Sequence, residues 1–143
     1  MKKKICIVLA DYYPDITDML LEGSTRKILD AKSKNILKIG HDSIRVPGVF
    51  EIPMTIAKLI TKYDAFVALG CIIKGETPHF DLISKAAVNA IMNLSVKNKK
   101  PIGNGIITCL NKQQAIERAD PNKKDKGGEA VSAVLQHWQI FKF

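Results

Sequence analysis

Six residues that could do chemistry stand together at positions 74–79: Lys74, Gly75, Glu76, Thr77, Pro78 and His79. They follow the apolar run AFVALGCII (65–73) and precede a second apolar stretch. Between a buried strand and a helix, such a segment can bind an anion, because helix N-terminal amides lack internal partners and share the positive end of the dipole. Gly75 lets the backbone approach a ligand, Thr77 can cap the helix or donate to an oxyanion, and Pro78 suits a first helical turn. His79, on that turn, is an imidazole suited to proton transfer near neutral pH. The same residues also describe a plain helix cap without a ligand, and a single histidine on a helix is more often a surface or core residue. The segment alone leaves both readings open.

Five other residues invite similar weighing. Tyr12 and Tyr13 offer a ring on which a flat heterocycle could stack, or pack the edge of the fold. Glu51 opens a helix, where the dipole already favours a carboxylate. Arg118 can grip a phosphate with two parallel hydrogen bonds, or form an ordinary exposed ion pair. Asp11 is a single acid at a strand end, weak ground for a phospho-acceptor.

The elements that must position these residues can be read from periodicity. KICIVLA (4–10) is a buried strand; after Pro14, Ile16, Met19, Leu20, Gly23, Ile28 and Ala31 form a helix face. NILKIG (35–40) and SIRV (43–46) are two short extended pieces, and Ile52, Ile56, Leu59 and Ile60 mark a helix reaching Tyr63. Residues 65–73 are the next strand. The helix that follows should turn Leu82, Ala86, Ala90 and Leu94 inward and end in lysines before Pro101. Strand 102–108, helix 112–119, loop 120–128 and helix 129–141 complete the chain. Strands alternating with helices imply an α/β fold: a three-layer, flavodoxin-like sandwich with a four-stranded parallel sheet flanked by helices on both faces. A single domain over 1–143 follows from the length. In such folds ligands bind at the carboxyl ends of the strands, which here carry DYYP, PGVFE, KGETPH and the region after GNGIIT.

The net charge of +8 arises from 22 basic and 14 acidic side chains, clustered at Lys2–Lys4, Lys97–Lys100 and Lys123–Lys124. These clusters lack interleaved aromatics and any binding motif, so no nucleic-acid partner is expected. Cys6, Cys71 and Cys109 sit far apart in apolar runs without metal-ligand spacing to the histidines, as buried thiols in a reducing cytoplasm do. The apolar part of the N-terminus is too short for a signal peptide, and no stretch approaches the ~20 apolar residues of a membrane span.

Taken together, PGVFEIP, ALGCIIKGETPHFD, GIITCLNKQQAIERA and KGGEA, in this order and spacing, resemble lumazine synthase over nearly the whole chain. The resemblance implies condensation of 5-amino-6-ribitylaminouracil with 3,4-dihydroxy-2-butanone 4-phosphate to 6,7-dimethyl-8-ribityllumazine, the penultimate step of riboflavin synthesis, without metal or cofactor. Carried over by position, it implies that Tyr12 stacks on the pyrimidine and that Val49, Phe50 and Glu51 hold the ribityl chain. Cys71, Ile72 and Ile73 would line the pyrimidine pocket, Glu76 and Thr77 would cradle the phosphate with Arg118 as its charged partner, and His79 would move protons. It further implies a homopentamer at least, with Asn104, Arg118 and Lys126 completing a neighbour's site, and riboflavin synthase as a further partner. Asn104 departs from the aromatic residue many members carry, and Tyr13 from their asparagine. The chain starts at its first strand, so the extension that adds a strand to a neighbour's sheet is not expected. The rival readings are a non-catalytic flavin- or lumazine-binding or shell-forming protein of the same fold, a flavin carrier, and a receiver domain. The last two want a phosphate loop after the first strand and an aspartate ending the third, and the chain has neither.

Overall fold

The computed structural model describes residues 2–34, 38–76 and 78–142. Four parallel strands, β1 (Lys2–Ala10), β2 (Lys38–Val46), β3 (Ala65–Ile73) and β4 (Ile102–Cys109), lie in the order β2-β1-β3-β4. All nine residues of β3 are buried, as an inner strand covered on both faces must be. The pleat divides β1 between two cores: Ile5, Ile7 and Leu9 point to one, Cys6, Val8 and Ala10 to the other. Helices α1 (Pro14–Ser33), α4 (Lys112–Ala119) and α5 (Lys126–Phe141) cover the first core, and α2 (Ile52–Leu59) and α3 (Phe80–Asn98) the second. The connection from β1 to β2 runs one way along the sheet and those from β2 to β3 and β3 to β4 run the other, which with right-handed crossovers requires helices on opposite faces. This is the flavodoxin-like three-layer arrangement read from the sequence.

Several elements differ from that reading. Residues 38–46 form one strand, with His41 and Asp42 paired to Ile5 and Cys6, because ladder hydrogen bonding to β1 overrides the polar interruption; residues 35–37 lie outside the described residues. Helix α2 stops at Leu59 and a turn follows. Helix α3 buries Ala87 and Ile91 and packs Phe80, Ile83 and Leu94 behind them, while Leu82 and Ala86 are exposed and Ala90 is half-buried. Its sequence carries two apolar stripes at helical spacing, and the sheet takes the one with the two isoleucines. Helix α5 begins at Lys126, because Asp125, in a left-handed conformation, accepts from the Gly128 amide and starts the turn early. Gly127 is needed there: a Cβ would collide with the carbonyl oxygen of Leu20 on α1, and the Ser24 hydroxyl donates to the Gly127 carbonyl at 2.8 Å. Among the described residues no helix is long and apolar enough to cross a membrane.

Candidate active site

The connections after β1 and β3 leave toward opposite faces, so a crevice opens between the carboxyl ends of these neighbouring strands. Tyr12 lies just beyond β1, Gly48–Glu51 lie in the turn after β2, and Cys71 and Ile72 lie near the end of β3; with Ile83 of α3 they line a hollow of 210 Å³. Val49 is buried and anchors its 3-10 turn, which leaves Phe50 turned outward at 67% exposure. The turn runs into α2, where Pro53 sits near the N-terminus and Thr55 donates to the Glu51 carbonyl at 2.8 Å. Arg45 joins two acids, Asp11 at 2.7 Å and Asp18 at 2.8 Å, so the Asp11 carboxylate is engaged in an ion pair. Tyr12 is 61% exposed and meets the Tyr13 ring edge-on, centroids 4.9 Å apart.

Helix α3 begins one residue after His79, which occupies the cap position and accepts the Ile83 amide on its carbonyl at 2.9 Å. Pro78 therefore belongs to the preceding turn, in which Gly75 takes a φ of +85° that only glycine adopts freely. The exposed His79 side chain stands between two hollows. One is lined by Phe50, Leu82, Ile83 and Ala86, the other by Lys74, Gly75, Pro78, Phe80, Asp81 and Leu82. Phe50 and Ile83 also line the hollow beneath Tyr12, so His79 overlooks it. The Glu76 amide makes only a long bond, 3.4 Å, to the Ile73 carbonyl, and its carboxylate accepts from the Tyr13 hydroxyl at 2.9 Å. Thr77 lies outside the described residues.

Asn104, Arg118 and Lys126 line a different concavity of 340 Å³, together with Ile106, Ile107, Thr108 and Glu129. It lies along β4, one of the sheet's two edge strands. Arg118 donates to the Thr108 carbonyl at 2.6 Å, Lys126 meets Glu129 at 3.3 Å, and the Asn104 side-chain oxygen accepts the Ile106 amide at 3.1 Å. Ile73 lines neither concavity; it is buried in the core toward α1, α4 and α5. The fold thus gathers Tyr12, Val49, Phe50, Glu51, Cys71 and Ile72 with His79 beside them, and places Asn104, Arg118 and Lys126 on a second concavity. Sequence reasoning passed over Thr108 and Glu129. Thr108 was recoverable from the period-two alternation that puts it on one face of β4 with Asn104 and Ile106; Glu129 was hidden by the late start given to α5.

Burial, with the neighbouring Cys109 thiol adding to it, pushes the Cys71 thiol up to about 12. Cys71 is a neutral wall of the hollow rather than a nucleophile. Among the described residues no cluster of three or more His, Cys, Asp or Glu could hold a metal ion.

The chain matches the family model described as 6,7-dimethyl-8-ribityllumazine synthase over residues 2–142. It is 42% identical to 6,7-dimethyl-8-ribityllumazine synthase 1 of Rhodopseudomonas palustris, across 96% of this chain and 85% of that one. It is 43% identical to the 6,7-dimethyl-8-ribityllumazine synthase of Agrobacterium fabrum, across 99% and 96%, and 44% identical to that of Sphingopyxis alaskensis, across 92% and 89%. Among solved structures, the lactose-specific IIB component domain of the Streptococcus pneumoniae phosphotransferase system aligns with a TM-score of 0.41 at 11% identity, covering 97% of this chain and 100% of that one, a likeness too slight to bear on function. On the family match and these identities, the chain belongs to the 6,7-dimethyl-8-ribityllumazine synthase family.

Proposed function

We propose that this chain, as a single domain over residues 1–143, is a transferase that condenses 5-amino-6-ribitylaminouracil with 3,4-dihydroxy-2-butanone 4-phosphate to give 6,7-dimethyl-8-ribityllumazine, phosphate and water, the penultimate step of riboflavin synthesis. The observation that carries the proposal is the hollow at the β1/β3 crevice, lined by Tyr12, Val49, Phe50, Glu51, Cys71 and Ile72 and overlooked by His79, in a chain of this family.

The pyrimidine lies against the Tyr12 ring and the end of β3, with Cys71 and Ile72 beside it and Ile73 supporting that strand end from the core. The ribityl chain runs along Val49, Phe50 and Glu51, where backbone groups and a carboxylate can meet its hydroxyls. The phosphate lies at the 74–79 turn, where Glu76 and Thr77 are the residues assigned to cradle it. The amine attacks the ketone to form an imine, phosphate leaves, and ring closure expels water. Each step moves protons, and His79 at the rim relays them. Holding two reactive molecules together supplies much of the rate without a covalent intermediate.

Asn104, Arg118 and Lys126 complete the site of an adjacent copy, with Arg118 on the phosphate, in a homopentamer at least. Their grouping along one edge strand of the sheet, in a concavity other than the one under Tyr12, supports this, as does exposed apolar surface at Phe50, Met54, Leu82, Met92 and Val96. The three buried, unpaired thiols fit a reducing compartment, and we place the reaction in the cytoplasm, with riboflavin synthase as candidate partner. Nothing in the site favours the non-catalytic reading. Mixing the purified protein with the two substrates and following lumazine absorbance tests the proposal: acceleration over the spontaneous reaction supports it, and a rate equal to that background overturns it.

A further inference from the structure

The Tyr13 hydroxyl donates to Glu76 Oε2 at 2.9 Å across 63 residues of chain. Tyr13 is the cap residue of α1 and stands edge-on against Tyr12. Glu76 belongs to the turn that delivers His79 to the start of α3. This hydrogen bond therefore joins the segment carrying the stacking ring to the segment carrying the proton-transfer histidine.

Charge gives this contact a second consequence. A carboxylate inside a turn that receives a phosphate ester repels the ligand unless it is held aside. A phenolic hydroxyl donating to a carboxylate makes a charge-assisted bond, stronger than a bond between neutral groups, and so restricts where the carboxylate goes. A phenol is a neutral donor, so the pairing adds no positive charge that would compete with Arg118 for phosphate.

We infer that Tyr13 is a positioning residue: its hydroxyl holds the Glu76 carboxylate, and with it the 74–76 turn, in the arrangement that admits the phosphate ester. The inference rests on the reading of residues 74–79 as the phosphate cradle.

Steady-state kinetics on Tyr13→Phe test it, since the ring and its contact with Tyr12 are kept and only the hydroxyl is lost. The expected result is a KM for dihydroxybutanone phosphate raised about 3- to 10-fold, the scale of one hydrogen bond's typical net contribution, because the lost bond acts on the ligand only through the carboxylate, with kcat changed less than about 2-fold. The inhibition constant for inorganic phosphate should rise in parallel. The double variant Tyr13→Phe/Glu76→Gln, which removes the repelling charge, should recover most of the loss. A Tyr13→Phe enzyme with wild-type KM, or a double variant as impaired as the single one, overturns the inference. If the wild-type protein itself fails to accelerate lumazine formation, the cradle reading falls and takes this one with it; if it accelerates and Tyr13→Phe is indistinguishable from it, only the role of Tyr13 falls.

Discussion

Arg118 donates from Nη1 to the carbonyl oxygen of Thr108 at 2.6 Å, and the same nitrogen lies 3.7 Å from the sulfur of Cys109. The end of β4 thus orients a guanidinium that has five donors in total, and a bond to the backbone leaves others for a phosphate. Replacing Arg118 by Met should raise the KM for dihydroxybutanone phosphate about 10- to 100-fold, the scale of losing a charge-assisted hydrogen bond. Arg118→Lys keeps the charge but not the planar fork, so it should fall between Met and wild type. Kinetics with the phosphate substrate varied at saturating pyrimidine check this; equal KM values for the Met and wild-type forms would remove Arg118 from the site.

His79 is exposed at the cap of α3, with its backbone carbonyl rather than its ring holding the helix start. His79→Ala should therefore fold normally, with stability within about 0.5 kcal/mol of wild type. Its turnover should drop by about 10- to 1000-fold, the range of one general acid-base group, without reaching the spontaneous rate, because proximity remains. Lumazine absorbance and a urea titration on the same sample separate the two effects. A variant that turns over at the wild-type rate has no need of the imidazole.

How far the sequence carried this reading depended on which force decided each feature. The buried strand at 65–73 and the helix after Pro14 were legible because a long apolar run and a regular period each have one solution in a parallel α/β sheet. The face of α3 was not, since Leu82 and Ala86 lie on a stripe as periodic as Ile83, Ala87 and Ile91, and only the shape of the sheet beneath selects between them. The single strand β2 was hidden for the same reason: His41 and Asp42 look like a turn until β1 supplies partners for their backbone. At the site, Tyr12, Glu51 and His79 could be nominated by type and place in the chain. Nothing local foretold that Tyr13 and Glu76 would meet across 63 residues.

Gly127 shows where backbone proximity outweighs propensity. Alanine is the better helix former, yet at this first-turn position its methyl would drive into the Leu20 carbonyl oxygen of α1. Relief requires α5 to move away from α1 and to loosen the Ser24 hydrogen bond. Gly127→Ala should cost about 1–3 kcal/mol, the usual penalty of overpacking. A urea midpoint that matches or exceeds the wild type would mean that the two helices separate without penalty.

Alkaline pH should unfold the protein through its buried thiols. Burial raises Cys71 from 9.0 to about 12 and, aided by Asp42, Cys6 from 9.0 to about 11, while the hydrogen bond to Asp42 raises Tyr63 from 10.0 to about 12. Each group keeps its proton in the folded chain over a range where the unfolded chain releases it. The stability they contribute is complete below pH 9 and is lost as pH climbs through those raised values. The urea midpoint should fall steadily above pH 9. Cys6→Ala, less stable overall because it empties a buried site, should decline less steeply over the same range. A Cys6→Ala curve parallel to wild type from pH 9 to 11 would take the thiol out of the explanation.

The placing of His79 and Arg118 on different concavities makes a sharper demand than any single variant. If His79 serves a site whose phosphate partner, Arg118, comes from the next copy, then neither His79→Ala nor Arg118→Met can build an intact site alone. A mixed ring can, because some junctions join the native His79 of one copy to the native Arg118 of its neighbour. In a closed ring with one kind of heterologous interface, equal amounts assembled at random place both native residues at about one junction in four. Denaturing the two variants together and refolding them should therefore restore activity to about a quarter of wild type, while each refolded separately stays near its own low rate. If His79 and Arg118 instead serve one site within a single chain, every site in the mixture carries one lesion. Activity then remains the average of the two variants, and the shared-site assembly is wrong whatever the size of the oligomer.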